Sequence, residues 1–128
     1  VLLLWDIFVS RLWGVYTLLF GWAAKFFYMK ILLQKKIKDK ELKLICQQIA
    51  SMEKSGCDLM TIFDTIIKTS SKKVSGVMIM VKRNIERGRT MTEAFYLTNA
   101  FSVFFISMIR AGEVSGNIDF VFEKMSGS

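Results

Sequence analysis

The sequence predicts an all-α protein, a compact bundle of about six short amphipathic helices preceded by an apolar, membrane-associated helix. Three observations predict this. Over residues 39–125 apolar side chains recur at i, i+3, i+4 and i+7, the period of helices with one buried face. Glycines and capping residues fall between those stripes and leave room only for short turns. The 128 residues contain no proline, so no helix is interrupted by a missing backbone donor.

Composition narrows the function. Hydrophobic residues make up 52% of the chain, high for a soluble protein of this size, so part of it meets lipid or a partner. The net charge of +7 favours an anionic partner, either nucleic acid or the anionic face of a membrane. The apolar content tilts the choice to the membrane. The chain has no histidine, which excludes histidine-based triads, histidine metal sites and imidazole acid–base chemistry within it. Cys46 and Cys57 lack the spacing of a zinc site or a disulfide scaffold and fit a reducing cytoplasm. No phosphate-cradling glycine loop is present. No catalytic residue, metal or cofactor is expected.

Residues 1–33 are dense in Leu, Phe, Trp and Tyr, interrupted by Asp6, Arg11, Lys25 and Lys30. The uninterrupted part, Leu12 to Ala24, is shorter than the roughly 20 residues of a span. Lysines near the ends can snorkel, so a span over about 12–33 stays open beside a helix lying in the interface. Trp5, Trp13, Tyr16, Trp22 and Tyr28 suit an interfacial position. A helix buried in a protein core is the blander alternative. The segment lacks the basic start and cleavage site of a signal peptide. Lys35, Lys36, Lys38, Lys40 and Lys43 follow, and basic residues flanking an apolar segment mark its cytoplasmic side. The expected organisation is therefore an apolar transmembrane or interfacial helix over 1–33 and a cytoplasmic helical domain over 34–128.

Within that domain, Leu42, Ile45, Cys46, Ile49 and Met52 share one face of a helix over about 39–55, ended by Gly56. Asp58 caps the next, whose stripe is Leu59, Ile62, Phe63, Ile66 and Ile67. After Thr69-Ser70-Ser71 a third helix buries Val74, Val77, Met78, Val81 and Ile85 and stops at Gly88. Thr90 and Glu93 have the spacing of a capping box opening a fourth helix through Ala94, Phe95 and Leu97. A fifth runs over about 102–111 with Phe101, Phe104, Phe105, Met108 and Ile109 at helical spacing. The sixth carries Ile118, Val121, Phe122 and Met125 on one face.

The stretch Arg110-Ala111-Gly112-Glu113-Val114-Ser115-Gly116 joins the last two stripes. It reads as a tight corner with glycines ending one helix, Ser115 capping the next and Glu113 at the bend. Arg110 lies three residues before Glu113 and can pair with it if the helix reaches that far. Glu113 can instead accept backbone amides and fix the angle between the two helices. A lone carboxylate without a partner acid, histidine or nucleophile makes a poor active site. Lys82, Arg83, Arg87 and Arg89 form a small basic patch, read as a solvated or membrane-facing surface rather than a nucleic-acid site.

Gly112-Glu113-Val114-Ser115-Gly116, with Phe105–Ala111 before it, resembles the Gly-Glu-x-Ser/Thr-Gly signature of the type II secretion system F family. These are polytopic inner-membrane platform proteins of type II secretion, type IV pilus and competence-pilus machines. Three more segments line up in order: the joint Ser51–Leu59 around Gly56, Ile85–Phe95 around Gly88, Thr90 and Glu93, and the stripe Ile118–Met125. The resemblance covers about 40–125. It departs at Ser102, where the family usually has proline, a residue that starts a helix as serine caps one.

The resemblance implies a non-enzymatic scaffold that couples a cytoplasmic assembly ATPase to pilin polymerisation. Its partners would be that ATPase, other inner-membrane components, pilins, the anionic membrane and further copies of itself. Many members hold two copies of this domain, so the resemblance also implies that residues 34–128 are one of two copies in a longer protein. The residues expected to set its helix geometry and interaction surface are Gly56, Gly88, Thr90, Glu93, Arg110, Gly112, Glu113, Ser115 and Gly116. A basic helical nucleic-acid-binding protein is the competing reading of the charge.

Overall fold

The computed structural model describes residues 2–32 and 36–127. Leu33, Gln34 and Lys35, which bear on the expected span and basic hinge, lie outside the described residues, as do the side chains of Tyr28 and Lys30. Backbone contacts divide the chain into two units, 1–34 and 35–128.

The first unit is one helix, α1 (Leu2–Leu32, 31 residues). It begins well before Leu12, because Asp6 and Arg11 are compatible with helix although they interrupt the apolar run. Leu3–Phe26 is long and apolar enough to cross a membrane, with a mean hydropathy of 1.4. At 1.5 Å per residue such a stretch reaches about 36 Å, against the roughly 30 Å of a hydrocarbon core. Leu3, Trp5, Phe8, Trp13, Leu18, Phe20, Trp22 and Phe26 are all exposed. Apolar side chains occupy most of the helix circumference, and Asp6, Ser10, Arg11, Thr17 and Lys25 share one side of it.

The second unit holds α2 (Asp39–Lys54), α3 (Leu59–Thr69), α4 (Lys72–Glu86), α5 (Met91–Tyr96), α6 (Val103–Ser115) and α7 (Ile118–Met125). Each packs on its neighbour in sequence, and α7 returns to α2, closing a ring. The expected stripes fill its centre: Cys46, Ile49, Ile62, Phe63, Ile66, Met78, Val81, Phe95, Phe105, Ile109 and Phe122 are fully buried. Phe95 is the hub. Its ring lies 5.0 Å from Phe101, 5.4 Å from Phe105 and 6.3 Å from Phe63, edge-on to each, the arrangement aromatic quadrupoles favour. Burial pushes the Cys46 thiol up to about 12, so it behaves as a small apolar core residue.

Most caps follow the local sequence. Asp58, Ser71, Thr90 and Ser102 each accept the amide three residues on. Gly56, Gly88 and Gly116 stand at φ of +84°, +85° and +71°, a conformation in which a Cβ is strained. Each closes a helix with the paired backbone bonds of a left-handed C-terminal turn. Gly56 N–H donates to Glu53 O and Cys57 N–H to Met52 O. Gly88 N–H donates to Ile85 O and Arg89 N–H to Asn84 O. Gly116 N–H donates to Glu113 O and Asn117 N–H to Gly112 O.

Two local expectations are corrected here. The fifth bundle helix runs on through Gly112 to Ser115 instead of ending near Ala111, so Gly112, Glu113 and Ser115 belong to its last turns. Ser115 does not cap α7. Its hydroxyl donates back to Gly112 O at 3.3 Å, and Asn117 occupies the capping position. Helix α6 ends only at Gly116, where the chain turns left-handed. Gly112 has no positive φ and so nothing in its backbone ends the helix.

Candidate helix-locking site at Glu113

The start of α5 carries four amides that no earlier turn of helix can receive. The chain supplies an acceptor for each. Thr90 N–H donates to Glu93 Oε2 at 3.3 Å, and Glu93 N–H to Thr90 Oγ1 at 3.1 Å, the two halves of the expected capping box. The other two go to Glu113, more than twenty residues away on α6. Met91 N–H donates to Glu113 Oε1 at 2.7 Å and Thr92 N–H to Oε2 at 3.2 Å. The Thr92 hydroxyl adds a third bond to Oε2 at 2.5 Å.

One carboxylate therefore ties the end of α6 to the start of α5. Partial burial pushes the Glu113 pKa up. The Thr92 hydroxyl and the Met91 and Thr92 amides outweigh that and hold the carboxyl below the usual carboxylate range. The group is a charged acceptor with its donors aligned, near the positive end of a short helix. Oε2 accepts two of these donors and Oε1 one. Arg110, three residues away, is exposed, and among the described residues it forms no ion pair with Glu113. The constraint on Glu113 joins α6 to α5, not α6 to α7.

Gly112 lies where α6 meets α7. A Cβ there would stand 2.6 Å from Val121 Cγ2 and 3.2 Å from the Ile118 Cα. The glycine lets the two helices touch backbone to side chain. The two glycines of the pentapeptide thus do different things: Gly112 allows contact and Gly116 allows the turn.

Of the expected residues, the fold brings together Thr90, Glu93 and Glu113, with Gly88 turning the chain into them. Gly112, Ser115 and Gly116 stand at the α6–α7 end, and Gly56 lies apart in the α2–α3 turn. Met91 and Thr92 were missed by sequence reasoning, since nothing local marks an amide whose acceptor is twenty residues on. A second pair was also missed. Glu53 on α2 is pushed up to about 7 by burial, by the charge of the Asp119 carboxylate on α7, and by a hydrogen bond to that carboxylate that favours the protonated form.

The basic patch is partly neutralised, because Lys82 pairs with Asp64 and reaches Glu86 at 3.7 Å. Among the described residues no three metal-ligating side chains converge.

The helical unit matches a family model described as type II secretion system (T2SS), protein F, over residues 45–127. The chain belongs to this family. The match takes in α2 from Ile45 onward and every helix of the ring after it, with Glu113 and its donors inside. Two curated members are similar to it. The type IV pilus assembly protein PilC of Thermus thermophilus is 26% identical over 88 residues, covering 68% of this chain and 22% of that protein. The type II secretion system protein F of Vibrio cholerae is 27% identical over 95 residues, covering 73% of this chain and 23% of that protein. The chain thus spans less than a quarter of the length of these family relatives.

Proposed function

We propose that this chain is part of a non-enzymatic inner-membrane platform for type II secretion or type IV pilus assembly. In that role it links a cytoplasmic assembly ATPase to the polymerisation of pilins. The observation that carries the reading is the order of parts: a helix apolar enough to cross a bilayer, then lysines, then a helical unit of the protein F family. Lys36, Lys38, Lys40 and Lys43 favour the cytoplasmic side for that unit, because clustered Lys and Arg beside a span stay there.

Gly56, Gly88, Thr90, Glu93, Gly112, Glu113 and Gly116 would fix the angles at which the ring meets the ATPase, other machine components or a second copy. Arg110 and Ser115 would lie on that surface. The Glu113 lock favours transmission over chemistry, because it couples α5 to α6 as one body. A displacement at one side of the ring would pass through its packed helices to the others.

The test is biochemical. The full chain is expressed with the assembly ATPase encoded in the same genome, membranes are washed with alkaline carbonate, and the ATPase is sought after detergent extraction. We expect the chain in the pellet, Lys-rich unit open to a membrane-impermeant reagent only from the cytoplasmic side, and ATPase co-purified with it. A chain released by carbonate, or one that retains no ATPase, would overturn the platform reading.

A further inference from the structure

The helical unit exposes an uncharged apolar corner at the same end at which the chain enters it. From Ala94 to Ile109 there is not one charged residue. The fold buries the Phe95, Phe101 and Phe105 side of this run and turns the rest outward. Tyr96 is 63% exposed, Val103 84% and Phe104 65%, with Leu97 at 40% beside them. They stand on the two shoulders of the turn joining α5 to α6. Nothing in the unit covers them, and a lone soluble domain rarely gathers large apolar side chains in this way.

The entry point lies at the same turn. Ile37 N–H donates to Ala100 O at 2.8 Å, and the Ile37 side chain packs on the core. Residues 36–38 are thereby pinned against the α5–α6 connection, and Lys36 and Lys38 are exposed on either side of Ile37. In sequence residues 27–35 separate Lys36 from the candidate span Leu3–Phe26. Nine residues, six of them helical, hold this end of the unit within about 25 Å of a bilayer that contains that span.

We infer that the α5–α6 corner is a second membrane contact, with Tyr96, Leu97, Val103 and Phe104 entering the interface of an anionic lipid surface beside Lys36 and Lys38. This rests on the reading of α1 as a membrane helix. Aromatic side chains with an apolar body prefer the headgroup boundary, and lysines next to them meet anionic headgroups. The corner and the lysines together match such a surface in both polarity and charge. The consequence is orientation: the ring would be held with α5 and α6 against the lipid and α3 and the α2–α3 turn directed to cytoplasmic partners.

The test uses the full chain in vesicles, with Cys57→Ser removing the half-buried thiol and Cys46 left in place because it is buried. Single variants Leu19→Cys, Tyr96→Cys, Phe104→Cys, Met80→Cys and Val114→Cys each carry a nitroxide. Collision with oxygen and with a water-soluble nickel chelate is then measured by electron paramagnetic resonance. Vesicles contain either phosphatidylglycerol with phosphatidylethanolamine or phosphatidylcholine alone.

Labels at 96 and 104 are expected to favour oxygen over the chelate, as Leu19→Cys does, while those at 80 and 114 stay open to the chelate. The contrast is expected to weaken in phosphatidylcholine. If Leu19→Cys reports lipid but Tyr96→Cys and Phe104→Cys report water, the second contact is wrong and the anchor stands. If Leu19→Cys itself reports water, the anchor fails and this inference with it. If Phe104→Cys is shielded from both reagents, the corner faces protein, which also overturns it.

Discussion

Replacing Glu113 by glutamine keeps the shape of the side chain and removes its charge. The amide oxygen can still receive one donor, such as Met91 N–H. The amide nitrogen then meets Thr92 N–H and the Thr92 hydroxyl, where Oε2 now accepts at 3.2 and 2.5 Å. A donor facing donors leaves the Thr92 amide unsatisfied. Hydrogen bonds to charged groups are worth about 1.5–3 kcal/mol, and a stranded half-buried donor costs about 1–3. Because Glu113 is partly open to water, which repays some of that loss, we expect about 2 kcal/mol of destabilisation for Glu113→Gln and about 2–3 for Glu113→Ala.

The assay is urea unfolding of the full chain in mild detergent, followed by circular dichroism at the helix band. With a slope of about 1 kcal/mol per molar urea for a unit of this size, the midpoint should fall by about 2 M. The sign with pH follows from the lowered folded pKa. The carboxylate's contribution is present above its ordinary value of 4.5 and is lost as pH falls through the lower folded value. The gap between wild type and Glu113→Gln should therefore close in acid. A double-mutant cycle with Thr92→Val should return a coupling of about 1 kcal/mol or more. A loss below about 0.5 kcal/mol for both Glu113 variants, or no coupling to Thr92, would refute the lock.

Further outcomes at four sites follow from the same geometry and the same unfolding measurement. Gly112→Ala should cost about 1–3 kcal/mol, because its Cβ would stand 2.6 Å from Val121 Cγ2 in a packed helix crossing. Gly76→Ala, in α4 with nothing within 4 Å, should instead stabilise by about 0.5–1 kcal/mol, and the opposite signs together test that space and not composition decides. Gly116→Ala should cost about 1–2 kcal/mol through its φ of +71°, and Gly116→Asn distinctly less, since asparagine tolerates that region. Glu53 has its folded pKa raised from 4.5 to about 7, so wild-type stability should fall as pH rises from 4.5 to 7 and level off above. Glu53→Gln should flatten that slope and gain about 1 kcal/mol at pH 8, checked by urea midpoints across the range.

The helices of the ring, their apolar faces and most of their ends were determined by the sequence itself. Such features are local: a stripe at helical period, Asp58 or Ser102 one residue before a helix, Thr90 three residues before Glu93, a glycine where the backbone turns left-handed. Each is decided by atoms a few residues apart, so the chain states it directly. The family signature around Glu113 was legible for the same reason, as a string.

What the string means physically was decided only by tertiary structure. Whether Gly112 ends a helix or lets another approach depends on Val121 and Ile118 across the α6–α7 crossing. Whether Glu113 pairs with Arg110, caps its own corner or receives α5 depends on the ring bringing Met91 and Thr92 beside it. The raised Glu53 likewise needs α7 returned to α2 before Asp119 can repel it. Periodicity fixes which face of a helix is apolar, but a contact across twenty or more residues is chosen by the packing of all six helices at once.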